Sequence, residues 1–168
     1  MKLNQKFIHP ETPELKGYVQ YREAVRAIVK RGEELLLLYT ERYNDFSFPG
    51  GGMHENETKE EAVVRELKEE TGAQNIQIKE YLGVLEEYRP HYKPTIDVVH
   101  MISHVFICEI SEELQEPQFE EHEIKNKMSV VWKNLQEVIQ HNEQVMAKQE
   151  KSMGLSIGRE TWLMKYIT

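Results

Sequence analysis

The feature that most constrains the fold is a continuous apolar run, Leu35-Leu36-Leu37-Leu38-Tyr39, in a chain that is otherwise polar. The run has the length of a strand, and successive side chains of a strand point to opposite faces of its sheet. Leucines on both faces need apolar cover on both sides, so the run predicts a central strand with a packed layer above and below it. It is far too short to cross a bilayer.

Other strands are predicted from alternation and from turn residues. Val25, Ala27 and Val29 share one face of a strand expected over residues 23–30. The turn Arg31-Gly32-Glu33 follows, so this strand and the leucine run are expected to form a hairpin. Extended segments are also expected over residues 46–48, 81–88 and 98–110. Residues 50–52, all glycine, are expected to form a flexible loop, and residues 1–18 an irregular lead-in.

The strongest helix signal covers residues 58–71. Thr58 and Glu61 have the spacing of a capping box, and Gly72 suits the position just after a helix. Helical spacing returns after Leu135, and a final apolar patch over residues 162–167 predicts a short last helix. Residues 111–128 are polar and are expected to be irregular. This order of elements predicts an α/β fold, a mixed β-sheet between α-helices, in one domain over residues 1–168.

Composition excludes several classes of function. The chain has 168 residues, with 21 Lys and Arg against 29 Asp and Glu, and a formal net charge of −8. This acidic balance argues against a nucleic-acid-binding protein. Cys108 is the single cysteine, so an internal disulfide is impossible and a cysteine zinc site is nearly so. The first residues lack an apolar signal segment, so a cytoplasmic protein without a membrane partner is expected.

A glycine run followed by an acidic helix carries the clearest chemical signal. On a helix, Glu66 meets both Glu69 and Glu70, because residues three and four apart are neighbours. Clustered carboxylates repel one another, and a hard divalent cation with oxygen ligands removes that conflict. The preceding glycines allow close approach of backbone or phosphate because they have no Cβ. The plainer interpretation is a solvated acidic face after a turn.

The spacing of the surrounding residues decides between these interpretations. Gly51, Glu57, Arg65-Glu66-Leu67, Glu69-Glu70 and Gly72-Ala73 stand at offsets that resemble the complete Nudix box. Flanking residues agree with the family too, with Phe48-Pro49-Gly50 before the box and Trp132 before a late helix. The resemblance implies the Nudix fold, an α/β/α sandwich, which matches the predicted order of elements.

The resemblance also implies an activity. Nudix hydrolases of the MutT type typically cleave a diphosphate linkage in a nucleoside diphosphate derivative, with Mg²⁺ or Mn²⁺ as cofactor and a small nucleotide as partner. Residue by residue, it makes Glu66, Glu69 and Glu70 metal ligands, with the Gly50 carbonyl as a further ligand. Glu66 serves as general base in some members. Glu57 and Arg65 correspond to the pair that orients the catalytic loop and helix.

Residues outside the box are expected to complete the site. Some members place a base or an extra ligand in a late loop, where Glu120, Glu121 and Glu123 are the candidates here. Substrate contacts are expected from cations and aromatic rings near the box and after it. The candidates are Arg42, Tyr88, Arg89, Tyr92 and Lys93.

Several alternatives stay open at this point. A nucleoside triphosphate or oxidised nucleotide competes with ADP-ribose or a sugar nucleotide as substrate, because Pro90 and Tyr88 lie only near the positions that distinguish such members. The alternative class of function is a non-catalytic nucleotide sensor, which usually loses box carboxylates that this chain keeps. The isomerase branch of the fold is disfavoured, and no P-loop motif occurs. Dimers are common in the family, and the sequence leaves the oligomeric state open.

Overall fold

The computed structural model describes residues 2–12, 17–91 and 95–168. In chain order, its elements are β1 (Leu3–Ile8), β2 (Val19–Ile28), β3 (Lys30–Arg31), β4 (Glu34–Thr40), β5 (Asp45–Ser47), β6 (Gly50–Gly52), α1 (Lys59–Thr71), β7 (Gln77–Pro90), β8 (Val98–Glu109), α2 (Glu121–Lys125), β9 (Met128–Asn134), α3 (Leu135–Lys148) and α4 (Ile157–Tyr166). Within these ranges, no helix is both long and apolar enough to cross a membrane.

The larger sheet is mixed and has the strand order β1-β7-β8-β2-β6. Strands β1 and β7 are parallel, as are β2 and β8, whereas β7 with β8 and β2 with β6 are antiparallel. The register places Gly50 beside Arg26 and Gly52 beside Ala24, so the glycines extend the sheet at its edge. The expected flexible loop is therefore wrong, because these residues form the short strand β6.

The leucine run forms β4 in a second sheet, where it pairs antiparallel with β3, β5 and β9. The expected hairpin between residues 23–30 and this run is wrong beyond its tip. Only Lys30 and Arg31 pair with β4 around the Gly32 turn. The body of β2 instead pairs with β8 from Val19 to Ile28, and this long contact directs the two strands into different sheets.

Two apolar clusters cover β4 on its two faces. Leu35 and Leu37 belong to a cluster that includes residues of α3 and α4. Leu36 belongs to the other cluster, which includes Val63 and Leu67 of α1. The predicted central strand with a layer on each side is thus confirmed, and the fold is the predicted α/β/α arrangement.

Helix α1 begins and ends at the predicted residues. The Thr58 hydroxyl accepts a hydrogen bond from the Glu61 N–H, as a capping box requires. Gly72 ends the helix in the left-handed conformation, with φ of 74°. These caps fix where α1 begins and ends along the chain.

Two expectations for the irregular segments are wrong. Residues 3–8 of the lead-in form β1, whose Leu3 is buried beside β7, although Pro10 and Pro13 suggested no regular pairing. Pro13 itself lies outside the described residues. The late polar segment contains the short helix α2 and leads into β9, which pairs with β4. The predicted short last helix is present as α4, which begins at Ile157, earlier than the apolar patch suggested.

Candidate active site

The glycine strand and helix α1 meet at two glutamates. The Gly50 N–H donates a hydrogen bond of 2.7 Å to Oε1 of Glu70. The Glu66 carboxylate lies directly against Gly51, since a Cβ built there would be 2.6 Å from its Oε1. Any side chain at Gly51 would displace Glu66, so the close approach requires glycine.

Arg65 ties the glycine strand, the following loop and helix α1 together. It donates to both oxygens of Glu57, at 2.6 Å from Nε and 3.0 Å from Nη2, and to the Gly52 carbonyl at 3.1 Å. Glu57 also accepts from the His54 N–H at 2.9 Å. The paired guanidinium lowers the pKa of Glu57 to about 2. The structure therefore brings Glu57 and Arg65 together as the resemblance implied.

The three helix carboxylates do not share one environment. The Nη1 of Arg65 donates to Glu66 at 3.0 Å and to Glu69 at 3.3 Å. Glu66 and Glu70 are buried and line the central cavity, whereas the Glu69 side chain is 33% exposed and lies outside the lining of that cavity. Residues 66 and 70 are four apart on the helix and point the same way, while Glu69 is turned toward Arg65 and solvent.

Glu123 of α2 joins the two buried carboxylates. It is 7% exposed, and its Oε1 accepts from the Glu120 N–H at 2.8 Å. Burial, and then its contact with Glu123, raises the pKa of Glu70 well above the usual value, and burial raises that of Glu66. Of the late-loop candidates, Glu120 and Glu123 line the cavity, whereas Glu121 is exposed and does not.

The cavity that these residues line has a volume of about 710 Å³, within the range of small-molecule sites. Its walls come from β2, the glycine strand β6, the end of β7, α2 and the start of α4. Glu66, Glu70 and Glu123 form one side of it. Four arginines also line the cavity, and sequence reasoning had assigned only one of them.

Some of the predicted substrate contacts line the cavity in the structure, and others lie outside it. Arg89 lines the cavity, where its Nη1 donates to the Ser156 hydroxyl at 3.0 Å. Tyr88 is stacked on His100 with ring centroids 4.3 Å apart and does not line the cavity. Arg42 is exposed and donates to the Asn126 side chain at 3.0 Å, also outside the lining. Tyr92 and Lys93 lie outside the described residues.

Sequence reasoning missed three arginines of the cavity wall. Arg22 and Arg26 lie four residues apart on β2 and so project from the same face, and Arg159 reaches in from α4. Two buried carboxylates contact these cations, with Glu87 3.1 Å from Arg159 and Glu160 3.3 Å from Arg26. In the sequence, Arg22, Ala24 and Arg26 have the spacing of residues on one face of a strand. A face with two arginines also fits a strand that is exposed to solvent.

The carboxyl cluster fits a hard divalent cation by its chemistry. Glu66, Glu70 and Glu123 offer oxygen ligands only, and burial raises the pKa of Glu66 and of Glu70 because it disfavours their charged forms. As arranged, no group of three or more acidic, histidine or cysteine side chains within the described ranges is placed to hold a metal ion. The donor set therefore fits the type of ion without presenting a finished coordination sphere.

Known proteins resemble this chain over most of its length. A family model for the NUDIX domain matches residues 20–153. The ADP-ribose pyrophosphatase of Methanocaldococcus jannaschii is 39% identical over 98 residues, which are 55% of this chain and 53% of that protein. The RNA pyrophosphohydrolase of Hydrogenovibrio crunogenus is 36% identical over 85 residues, or 50% of this chain and 48% of that protein. The chain thus spans about half the length of these curated relatives.

A solved structure shares the fold. The MutT protein from Methanosarcina mazei Go1 superimposes with a TM-score of 0.56 at 17% identity, over 88% of this chain and 95% of that one. At this identity the match concerns the arrangement of strands and helices.

Proposed function

The chain belongs to the NUDIX family, and from this premise we propose that it is a pyrophosphohydrolase that cleaves the diphosphate linkage of a small nucleoside diphosphate derivative with Mg²⁺ or Mn²⁺. One observation carries the proposal: the buried carboxyls of Glu66, Glu70 and Glu123 line a nucleotide-sized cavity beside the glycine strand. Both curated relatives described above are named for cleavage of a pyrophosphate, which supports the type of linkage and leaves the substrate open.

The proposed metal ligands are Glu66 and Glu70, with the Gly50 carbonyl as a further ligand. The sequence adds Glu69 to this set, and the position of Glu123 in the cavity makes it a second candidate. A bound divalent cation would neutralise charge on the phosphate oxygens and make water more acidic. We assign the role of general base to Glu66, whose pKa is raised by burial.

The remaining residues of the box hold these groups in place. The Gly50 N–H donates to Oε1 of Glu70 and so fixes the orientation of this carboxyl group. Arg65 fixes Glu66 and, through Glu57 and Gly52, the loop that leads into α1. Such positioning contributes to rate because reacting groups held in place need no reorganisation.

A substrate panel with product identification tests this proposal. Nucleoside triphosphates, ADP-ribose, sugar nucleotides and dinucleoside polyphosphates are incubated with the protein and Mg²⁺, and the phosphorus attacked is found from the products. Glu70→Gln is expected to reduce kcat at least about a hundredfold, as the loss of a charged group in the site does. The matched control is Glu121→Gln, which removes the same charge from an exposed position near the cavity.

Two comparisons within the panel separate the assigned roles. Glu57→Gln is expected to harm turnover less than Glu70→Gln, because Arg65 keeps its contacts with Gly52 and Glu66. The turnover of Glu69→Gln, compared with that of Glu123→Gln, decides which of these two carboxylates completes the metal site. Full activity of Glu70→Gln would contradict the proposal. Tight nucleotide binding without any product would favour the non-catalytic sensor instead.

A further inference from the structure

Four arginines from three elements line the cavity beside the carboxyls. Arg22 and Arg26 come from β2, Arg89 from the end of β7 and Arg159 from the first turn of α4. The sheet register explains how two of these strands converge. Arg22 lies beside Met101 of β8, and Met101 lies beside Glu87 of β7, so these residues form one row across the sheet.

Two glutamates compensate part of this positive charge. Glu87 lies 3.1 Å from Arg159 and 3.3 Å from Arg89, and Glu160 lies 3.3 Å from Arg26. These pairs hold α4 against the sheet. They engage three guanidinium groups with two carboxylates, and the fourth arginine, Arg22, has no carboxylate within ion-pair distance among the described residues.

Several donors of this cluster have no hydrogen-bond partner. Nε of Arg26 and Nη2 of Arg159 make no hydrogen bond and face Oε1 of Glu160 at 3.3 Å and 3.6 Å, and Nε of the buried Arg159 also makes no hydrogen bond. Arg22 is exposed to the cavity and makes neither an ion pair nor a hydrogen bond in the described part of the chain. The exposed Arg22 guanidinium therefore offers charge-assisted donors to an anionic ligand in the cavity.

The arginines adjoin the carboxyl side through Gly50. The N–H of Gly50 donates to Glu70, and a Cβ built on Gly50 would be 2.6 Å from Nη1 of Arg26. A ligand that spans the cavity would therefore place one group near the carboxyls and the next anionic group near the guanidinium donors.

We propose that Arg22, Arg26 and Arg89, supported by Arg159, form a subsite for a terminal phosphate of the substrate, which makes a substrate with a free phosphate end preferred over one whose phosphates are both esterified. This inference rests on the proposed function. A terminal phosphate carries nearly two negative charges near pH 7 and presents three acceptor oxygens, whereas each phosphate inside a diphosphate bridge carries one charge. Guanidinium groups from different elements match the terminal group best because they can donate to it from several directions.

Binding without turnover tests the subsite separately from hydrolysis. With EDTA present, inorganic tripolyphosphate, ATP and ADP-ribose are titrated into the intact chain by calorimetry. ATP and ADP-ribose share adenosine and two phosphates, and only ATP has a free phosphate end. Arg22→Gln is expected to weaken binding of tripolyphosphate and ATP about tenfold, the usual effect of losing one charge-assisted hydrogen bond, and to leave ADP-ribose nearly unchanged.

Arg31→Gln is the matched control. Arg31 is an equally charged residue whose side chain is 50% exposed, pairs with Glu34 and lies over Trp132, outside the cavity lining. Arg89→Gln gives a second measurement, with the thermal midpoint recorded for each variant to detect loss of folding. Unchanged affinities for tripolyphosphate in Arg22→Gln, or an equal loss in Arg31→Gln, would overturn the subsite.

The two proposals fail in different ways. Hydrolysis with a KM that Arg22→Gln does not change would reject the subsite and leave the hydrolase intact. Arginine-dependent binding of tripolyphosphate by a protein that yields no product from any nucleotide would reject the hydrolase and keep the subsite.

Discussion

At the residue scale, Gly51 and Glu66 show how far a motif can carry a structural inference. The sequence predicted that glycine would permit a close approach, and the structure places the Glu66 carboxylate where a Cβ would stand. It did not predict that Glu69 would turn toward Arg65, and it left open which of Glu120, Glu121 and Glu123 would enter the cavity. Helix spacing fixes which residues are neighbours, but the direction of a long side chain depends on partners from distant parts of the chain.

Asp45 offers a test of burial at this scale. It is 7% exposed on the cavity wall, and burial, followed by repulsion from Glu160, raises its pKa to about 6. The folded state therefore binds the Asp45 proton more tightly than the unfolded state, whose pKa is about 3.9. This group favours folding at low pH and loses that contribution as pH rises from about 4 to about 6.

Asp45→Asn is accordingly expected to raise the free energy of unfolding at pH 7 by about 2 kcal/mol and to change it little at pH 4. Urea unfolding of both proteins at pH 4, 5, 6 and 7 measures the difference. Other buried carboxyls contribute equally to the two curves and cancel. A difference that stays constant with pH would show that Asp45 titrates normally.

At the scale of elements, prediction succeeded where the determining contacts are local. Helix α1 has its cap at Thr58 and its end at Gly72, both readable from neighbouring residues. Strand β1 was missed because its only described sheet partner, β7, lies about eighty positions along the chain. Strand β9 was missed for the same reason, since its partner β4 lies about ninety to a hundred positions earlier in the sequence. Their stability comes from pairing that no short window of sequence contains.

The end of α1 also anchors the segment that follows β8. Gly72 adopts φ of 74°, its carbonyl accepts from the Gln115 N–H at 2.8 Å, and an added Cβ would overlap the Gln115 backbone. Gly32 has a similar φ of 63° but open space around the same position. Both glycines therefore adopt the left-handed conformation, but only Gly72 also lies against another segment of backbone.

Gly32→Ala is expected to lower the free energy of unfolding by about 1 kcal/mol, the cost of the left-handed conformation. Gly72→Ala should cost roughly 2–4 kcal/mol, because the backbone of the following segment must also move. Denaturant unfolding of both variants gives the comparison. Equal losses would mean that the segment yields freely and does not fix the end of α1.

At the scale of the whole molecule, the cavity assembles elements that are far apart in sequence. Its acidic side comes from α1 and α2, and its basic side comes from β2, β7 and α4. The motif located the acidic side because most of it lies in one continuous stretch. The basic side has no such stretch, since Arg22, Arg89 and Arg159 meet only through sheet register and the packing of α4. A site divided in this way depends on both core layers staying in place.

The shared strands predict that the two layers unfold together. Leu36 and Leu37 are fully buried neighbours on β4, but Leu36 packs in the α1 cluster and Leu37 in the cluster of α3 and α4. Truncation of either to alanine is expected to cost about 2–5 kcal/mol through lost contacts and the cavity left behind. Because β4 belongs to both layers, loss of one layer removes the support of the other. Each variant should therefore shift the urea midpoint and keep the wild-type m-value in a single transition. A biphasic curve for either variant, or a reduced m-value for one alone, would show that the layers unfold independently, and the cavity between acidic and basic sides would then be lost before the rest of the molecule.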